Sequence, residues 1–178
     1  IIKDIIDGNP SKIVQIFVQS PLVWGIHVAA NSNFETINDI KGARAAISRY
    51  GSGSHLMAYV NAQNNGWDLS KDLNFEVIKN LDGAVEGLSN KSADYFMWEK
   101  FTTKPIVDEG VFRRIGNCPT PWPCFVIAAT EDFIKNEKAT LKTILEIINT
   151  TTVDFKNIPS IDKTISNRYN QKLEDVQE

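Results

Sequence analysis

Residues 48–55, Ser-Arg-Tyr-Gly-Ser-Gly-Ser-His, crowd small, hydroxylated and basic side chains into one short run. Gly51 and Gly53 permit backbone angles that other residues resist, and Ser52 or Ser54 can cap a helix continuing through Leu56, Met57, Tyr59 and Val60. The unpaired amides of such a helix start, its dipole and the neighbouring hydroxyls would point at one place, a chemistry suited to an anion or a polar group. Ser48, Gly51, Ser52, Gly53, Ser54 and His55 are therefore candidate ligand contacts, and Arg49 could add charge. A serine-capped helix with no ligand needs the same residue types, so the loop alone leaves both readings open. It has neither the GxxxxGK[ST] of a phosphate loop nor the GxGxxG of a dinucleotide site.

Trp24, Trp98 and Trp122 offer flat surfaces for the organic part of a ligand, and Glu99, beside Trp98, could accept from a ligand amine or sit as a solvated charge at a helix start. Buried packing is the competing role for each indole. His55 has no visible serine, cysteine or aspartate partner with which to run acid–base or nucleophilic chemistry, so no catalytic residue is assigned and an enzyme is not expected. Cys118 and Cys124 flank Pro-Thr-Pro-Trp-Pro and would close only a small loop if oxidised; free thiols are expected. His27 and His55 lack ligand spacing to them, so neither a metal nor a cofactor is expected.

The elements that must hold these residues alternate. Residues 11–18 and 22–30 read as strands around a Ser20-Pro21 break, followed by a short helix with Phe34, Ile37 and Ile40 spaced by three and closed at Gly42. The apolar strand at 43–47 leads into the glycine–serine loop and a helix over 53–65. A strand at 73–79, a helix capped by Asp82, a buried strand at 93–98, and strands at 111–117 and 124–130 follow, the last two separated by Pro119, Pro121 and Pro123. From Glu131 the pattern is helical, with Leu141, Ile144, Leu145, Ile147 and Ile148 in one stripe. This order predicts a parallel α/β sheet with ligand-binding loops beyond the carboxyl ends of its strands, where Ser48–Ser54 and Trp98–Thr102 would fall.

Composition narrows the function. The chain has 178 residues, 42% hydrophobic and 23% charged, enough for a substantial core. A net charge of −3 supplies no basic footprint for nucleic acid. No apolar run approaches the roughly 20 residues of a membrane span. The chain opens on Ile-Ile-Lys-Asp-Ile-Ile-Asp, which reads as the tail of a helix with no start, so the true N-terminus is expected to lie upstream, together with any export signal.

The segments VWGIHVAANS, INDIKGARAAISRYGSGSHLMA, DGAVEGLSNKSADYFMWEKFTTKP and FRRIGNCPTPWPCFVIAA, taken in order over about residues 20–136, resemble the type II periplasmic-binding fold. The similarity is to the branch of aliphatic-sulfonate and thiamine-pyrimidine-precursor binders, and within it to bacterial and fungal thiamine-biosynthesis-like or transporter-like proteins. The resemblance implies two α/β lobes. Residues 23–126 would form lobe II, with crossings near Trp24–Ala30 and Thr120–Val126; 1–22 and 127–178 would form a partial lobe I whose first strand and helix are missing. It further implies capture of a small polar or anionic molecule in the cleft, as the substrate-binding component of an ABC-type transporter with a permease as partner. A periplasmic or lipoprotein location goes with that role, while two free thiols fit the cytosol. Yeast thiamine-precursor synthases share the fold and make an enzyme the alternative. Their cysteine-rich metal segment is reduced here to Cys118 and Cys124, however, and no lysine can be assigned to a pyridoxal cofactor. A sensor domain of a larger regulatory protein is a third reading.

Overall fold

The computed structural model describes residues 1–177. In chain order the elements are α1 (Ile2–Ile6), β1 (Ser11–Val18), β2 (Val23–Ala29), a one-turn 3-10 helix (Ile37–Ile40), β3 (Arg44–Ile47), α2 (Gly53–Asn64), β4 (Asn74–Val77), α3 (Leu81–Ser89), β5 (Tyr95–Glu99), α4 (Lys104–Asp108), β6 (Phe112–Pro119), β7 (Phe125–Thr130), α5 (Glu131–Asn136), α6 (Lys138–Phe155), α7 (Ile161–Tyr169) and α8 (Leu173–Gln177). The chain divides into two compact units: a central one, residues 20–124, and a flanking one, residues 1–19 with those from Phe125 onward.

The central unit is built on a five-stranded sheet of order β4-β3-β5-β2-β6. Side chains alternate across it as strand geometry requires. Ala45, Ile47, Tyr95, Met97, Ile26 and Val28 pack with Met57, Ala58 and Ala62 of α2 on one face. Ala46, Phe96 and Phe112 pack with Ala84 and Leu88 of α3 on the other. The sheet is mixed, not the parallel one that the alternation predicts. β3 runs parallel to β4 and β5, whereas β2 lies antiparallel between β5 and β6. The parallel rule governs strands joined by a covering helix, as β3, β4, β5 and β6 are in succession. β2 reaches β3 through a single 3-10 turn and is free of that constraint.

α3 is capped by Asn80, not by Asp82: the Gly83 amide donates to Asn80 Oδ1 at 2.9 Å. The helix starts early because Gly83 lets the chain close tightly; a Cβ there would stand 1.9 Å from the Ile78 carbonyl oxygen. Asp82 then lies in the first turn, where its charge favours the dipole.

In the flanking unit β1 and β7 form a two-stranded antiparallel sheet. Every buried residue among the described ones belongs to the central unit. The flanking unit instead leaves Phe17 47%, Ile147 60% and Val153 71% exposed.

Candidate functional site

Strand direction brings the candidate residues to one end of the central sheet. β3, β5 and β6 run the same way, and their carboxyl ends lead into the glycine–serine loop, the turn after Glu99 and the Trp122 segment. β2, running oppositely, starts at that end with Trp24 paired to Glu99 and Cys118.

The glycine–serine loop is held by its own side chains. Ser52 is the N-cap of α2, its hydroxyl accepting from the His55 amide at 3.4 Å. The Ser54 hydroxyl turns back to accept from the Ser48 amide at 3.0 Å and lies 3.1 Å from the Ser52 hydroxyl. Ser52 and Ser54 are thus buried. Gly51, in the left-handed region at φ 75°, donates its amide to His55 Nδ1 at 3.1 Å, which places the His55 proton on Nε2. The His55 ring meets Tyr50, Tyr59 and Phe75 edge to face, with centroids 4.7–5.2 Å away. Four of the six candidate amides at this junction, those of Ser48, Gly51, Ser52 and His55, are consumed internally. Among the described residues the amides of Gly53 and Ser54, the first two of α2, have no protein acceptor.

Trp24 joins this loop to the next. A Cβ on Gly53 would come within 2.9 Å of Trp24 Cη2, so the indole lies against the bare backbone at the helix start. Alternation assigns Trp24 to the α2 face and Trp98 to the α3 face. The two rings nevertheless meet edge to face at the strand end, centroids 6.0 Å apart, and Trp98 stacks on Phe96 at 5.4 Å. The indole nitrogen of Trp24 is buried without a partner among the described residues. Trp122 is 36% exposed and belongs to no ring pair among the described residues. Its segment is anchored by Thr120, whose hydroxyl donates to the Trp122 carbonyl at 2.9 Å and accepts from the Leu22 amide at 3.1 Å.

The Glu99 carboxylate folds onto its own turn. It accepts from the Phe101 amide at 3.0 Å, the Thr102 amide at 2.8 Å and the Thr102 hydroxyl at 2.9 Å. Sequence reasoning passed over two residues here. His27, wholly buried, lies 3.3 Å through Nδ1 from the Phe96 carbonyl and 2.9 Å through Nε2 from the hydroxyl of Thr103, itself wholly buried. Burial lowers the His27 pKa from 6.5 to about 4, against the Phe96 hydrogen bond and with the help of the Arg114 charge. The available signal was Gly25: a Cβ there would fall 2.5 Å from His27 Cε1, so the imidazole occupies the space that a side chain at 25 would need.

Both cysteines are free, and burial pushes the Cys118 thiol up despite the Asn64 amide near its sulfur. Among the described residues no cluster of three or more His, Cys, Asp or Glu could hold a metal ion, and no helix is long and apolar enough to cross a membrane.

A helix-covered mixed sheet carrying its candidate loops at one end, with a second unit formed from the two ends of the chain, defines the type II periplasmic-binding fold. The chain belongs to the Ca3427-like PBP family, whose sequence profile matches residues 24–118, more than half of it. The Candida albicans CA3427 gene product, described as defining a new family with the generic periplasmic binding protein fold, is 27% identical over 99% of this chain, with a TM-score of 0.84. The periplasmic aliphatic sulphonate binding protein SsuA of Escherichia coli is 14% identical over 98% of the chain, TM-score 0.72. The alkanesulfonate-binding protein SsuA of Xanthomonas axonopodis pv. citri, bound to MOPS, is 14% identical over 96%, TM-score 0.72. The chain spans 58%, 60% and 59% of the length of these three structures. No curated protein matches it.

Proposed function

We propose that this chain binds a small organic anion, of which sulfonates are the first class to test, at the end of the central sheet where the glycine–serine loop, Trp24 and Trp98 meet. The observation that carries the reading is the pair of unpaired amides at Gly53 and Ser54, at the start of a 12-residue helix, with the Trp24 indole against Gly53. Such a terminus carries roughly half a positive charge, and the indole supplies an apolar wall beside it. Ser48, Gly51, Ser52 and His55 hold the loop, while Trp98, Glu99 and Trp122 complete the surroundings. No bond is made or broken in this reading.

The central and flanking units are then lobe II and part of lobe I. The protein acts as the substrate-binding component of an ABC-type transporter, facing a permease from the periplasm or from a lipid anchor. The names of the SsuA relatives favour sulfonate binding over the thiamine-precursor enzyme.

The test is titration with MOPS, propanesulfonate and inorganic sulfate, followed by tryptophan fluorescence and melting temperature. A saturable response to at least one sulfonate is expected, lost in the Ser52→Ala/Ser54→Ala double variant and kept in Lys142→Ala, whose side chain is 78% exposed in the flanking unit. No response to any of the three, or an unchanged response in the double variant, overturns the reading.

A further inference from the structure

Beside the candidate site lies a buried polar connection that the binding reading does not use. The turn after β5 carries Glu99 and follows Trp98, and its last residue, Thr103, is wholly buried with its hydroxyl 2.9 Å from His27 Nε2. The Phe96 carbonyl, 3.3 Å from Nδ1, can only accept. The neutral imidazole therefore carries its proton on Nδ1, and its Nε2 lone pair accepts from Thr103. That hydroxyl has one hydrogen, given to Nε2, so the Glu99 and Lys100 carbonyls, 3.1 and 3.3 Å from its oxygen, pack against it without accepting from it, and the Glu99 carbonyl accepts from the Thr103 amide at 3.3 Å. One ring thus ties the middle of β2, the backbone of β5 and the end of the turn together. It reaches the turn only because Gly25, two residues earlier on the same face, has no side chain in its path.

We propose that His27, acting through Thr103 and given room by Gly25, is a positioning residue that fixes the 99–103 turn in the conformation presenting Trp98 to the ligand. The inference rests on the binding reading for its role, but its geometry does not depend on any ligand.

Different replacements separate the two ends of the imidazole. An asparagine amide can reproduce the Nδ1 donor and a glutamine oxygen the Nε2 acceptor. Thr103→Val removes the hydroxyl at nearly constant shape, and Thr103→Ser restores it. The first readout is hydrogen exchange of the Phe101 and Thr102 amides, which donate to Glu99, with the Ala46 amide in β3 as the internal reference. The second is the affinity for MOPS at a temperature where every variant is folded.

Loss of one buried hydrogen bond predicts about tenfold faster exchange at Phe101 and Thr102 in Thr103→Val and His27→Asn. Ala46 should be unchanged, and Thr103→Ser and His27→Gln should stay within about twofold of the parent protein. MOPS affinity should fall in the same order. Equal exchange in Thr103→Val and Thr103→Ser, or acceleration at Ala46 as large as at Thr102, overturns the proposal and leaves a general packing role. Should a His27 variant fail to fold, the threonine pair decides. If the parent protein does not bind MOPS or the other sulfonates, the binding reading falls while the exchange data still judge the positioning role.

Discussion

The edge of the Trp24 indole rests against the backbone of Gly53, close enough that a Cβ there would stand 2.9 Å from Cη2 and 3.2 Å from Cζ2. A ring from the start of β2 thereby sets how near a helix start can approach it.

Gly53→Ala tests that contact. Alanine raises helix propensity by up to about 1 kcal/mol, and crowding a packed ring costs about 1–3 kcal/mol. Crowding wins, and denaturant titration should show a net loss of about 1 kcal/mol. The tryptophan emission should shift as Trp24 is displaced, and sulfonate affinity should fall with it.

His27 gives stability a definite pH dependence. Its folded pKa, about 4, is below the ordinary 6.5, so between these values the unfolded chain binds more protons. Its contribution is complete above pH 6.5 and is lost as the pH falls toward 4. A shift of this size corresponds to about 3 kcal/mol. Urea unfolding from pH 4 to 7 should show the slope, and His27→Gln should flatten it; the same slope in the variant would show that His27 is not its source.

At the opposite end of the sheet Asp94 accepts from the Arg44 amide at 2.8 Å and from its guanidinium at 3.0 Å through both oxygens. Burial pushes the Asp94 carboxyl up, and the bonds from Arg44 more than reverse it. Asp94→Ala should lower the melting temperature by a few degrees, because the Arg44 amide loses its acceptor. Sulfonate affinity should be unchanged, since the pair ties the starts of β3 and β5 and not their carboxyl ends.

Residues 20–124 hold all the buried side chains among the described residues. Expressed alone, that fragment should unfold cooperatively in urea and keep the near-ultraviolet circular dichroism of its aromatic cluster. A non-cooperative transition would show that its core needs the flanking unit.

How much of this was written in the sequence depends on how local each feature is. The strands at 11–18 and 23–29 and the helix at 53–64 follow from period, β-branched content and the Ser52 cap, all set within a few residues. The direction of β2 was not legible, because no helix crossover constrains it. Asp82 and Asn80 are both good caps, and the choice between them turned on how close Gly83 comes to the Ile78 carbonyl. The candidate site was legible as a set of loops at one sheet end. Its internal wiring was not: Ser54 and Gly51 satisfy groups six and four residues away, whereas His27 reaches Thr103 across 76 positions. Only the bare Gly25 hinted that something large leans over it.

The Leu22 amide donates to the Thr120 hydroxyl, and the Thr120 amide to the Leu22 carbonyl at 3.0 Å. The chain therefore enters and leaves the central unit through two adjoining strands, as in an insertion grafted into a host sequence. A graft with paired ends can be exchanged, duplicated or circularised by a short bridge without rethreading its sheet.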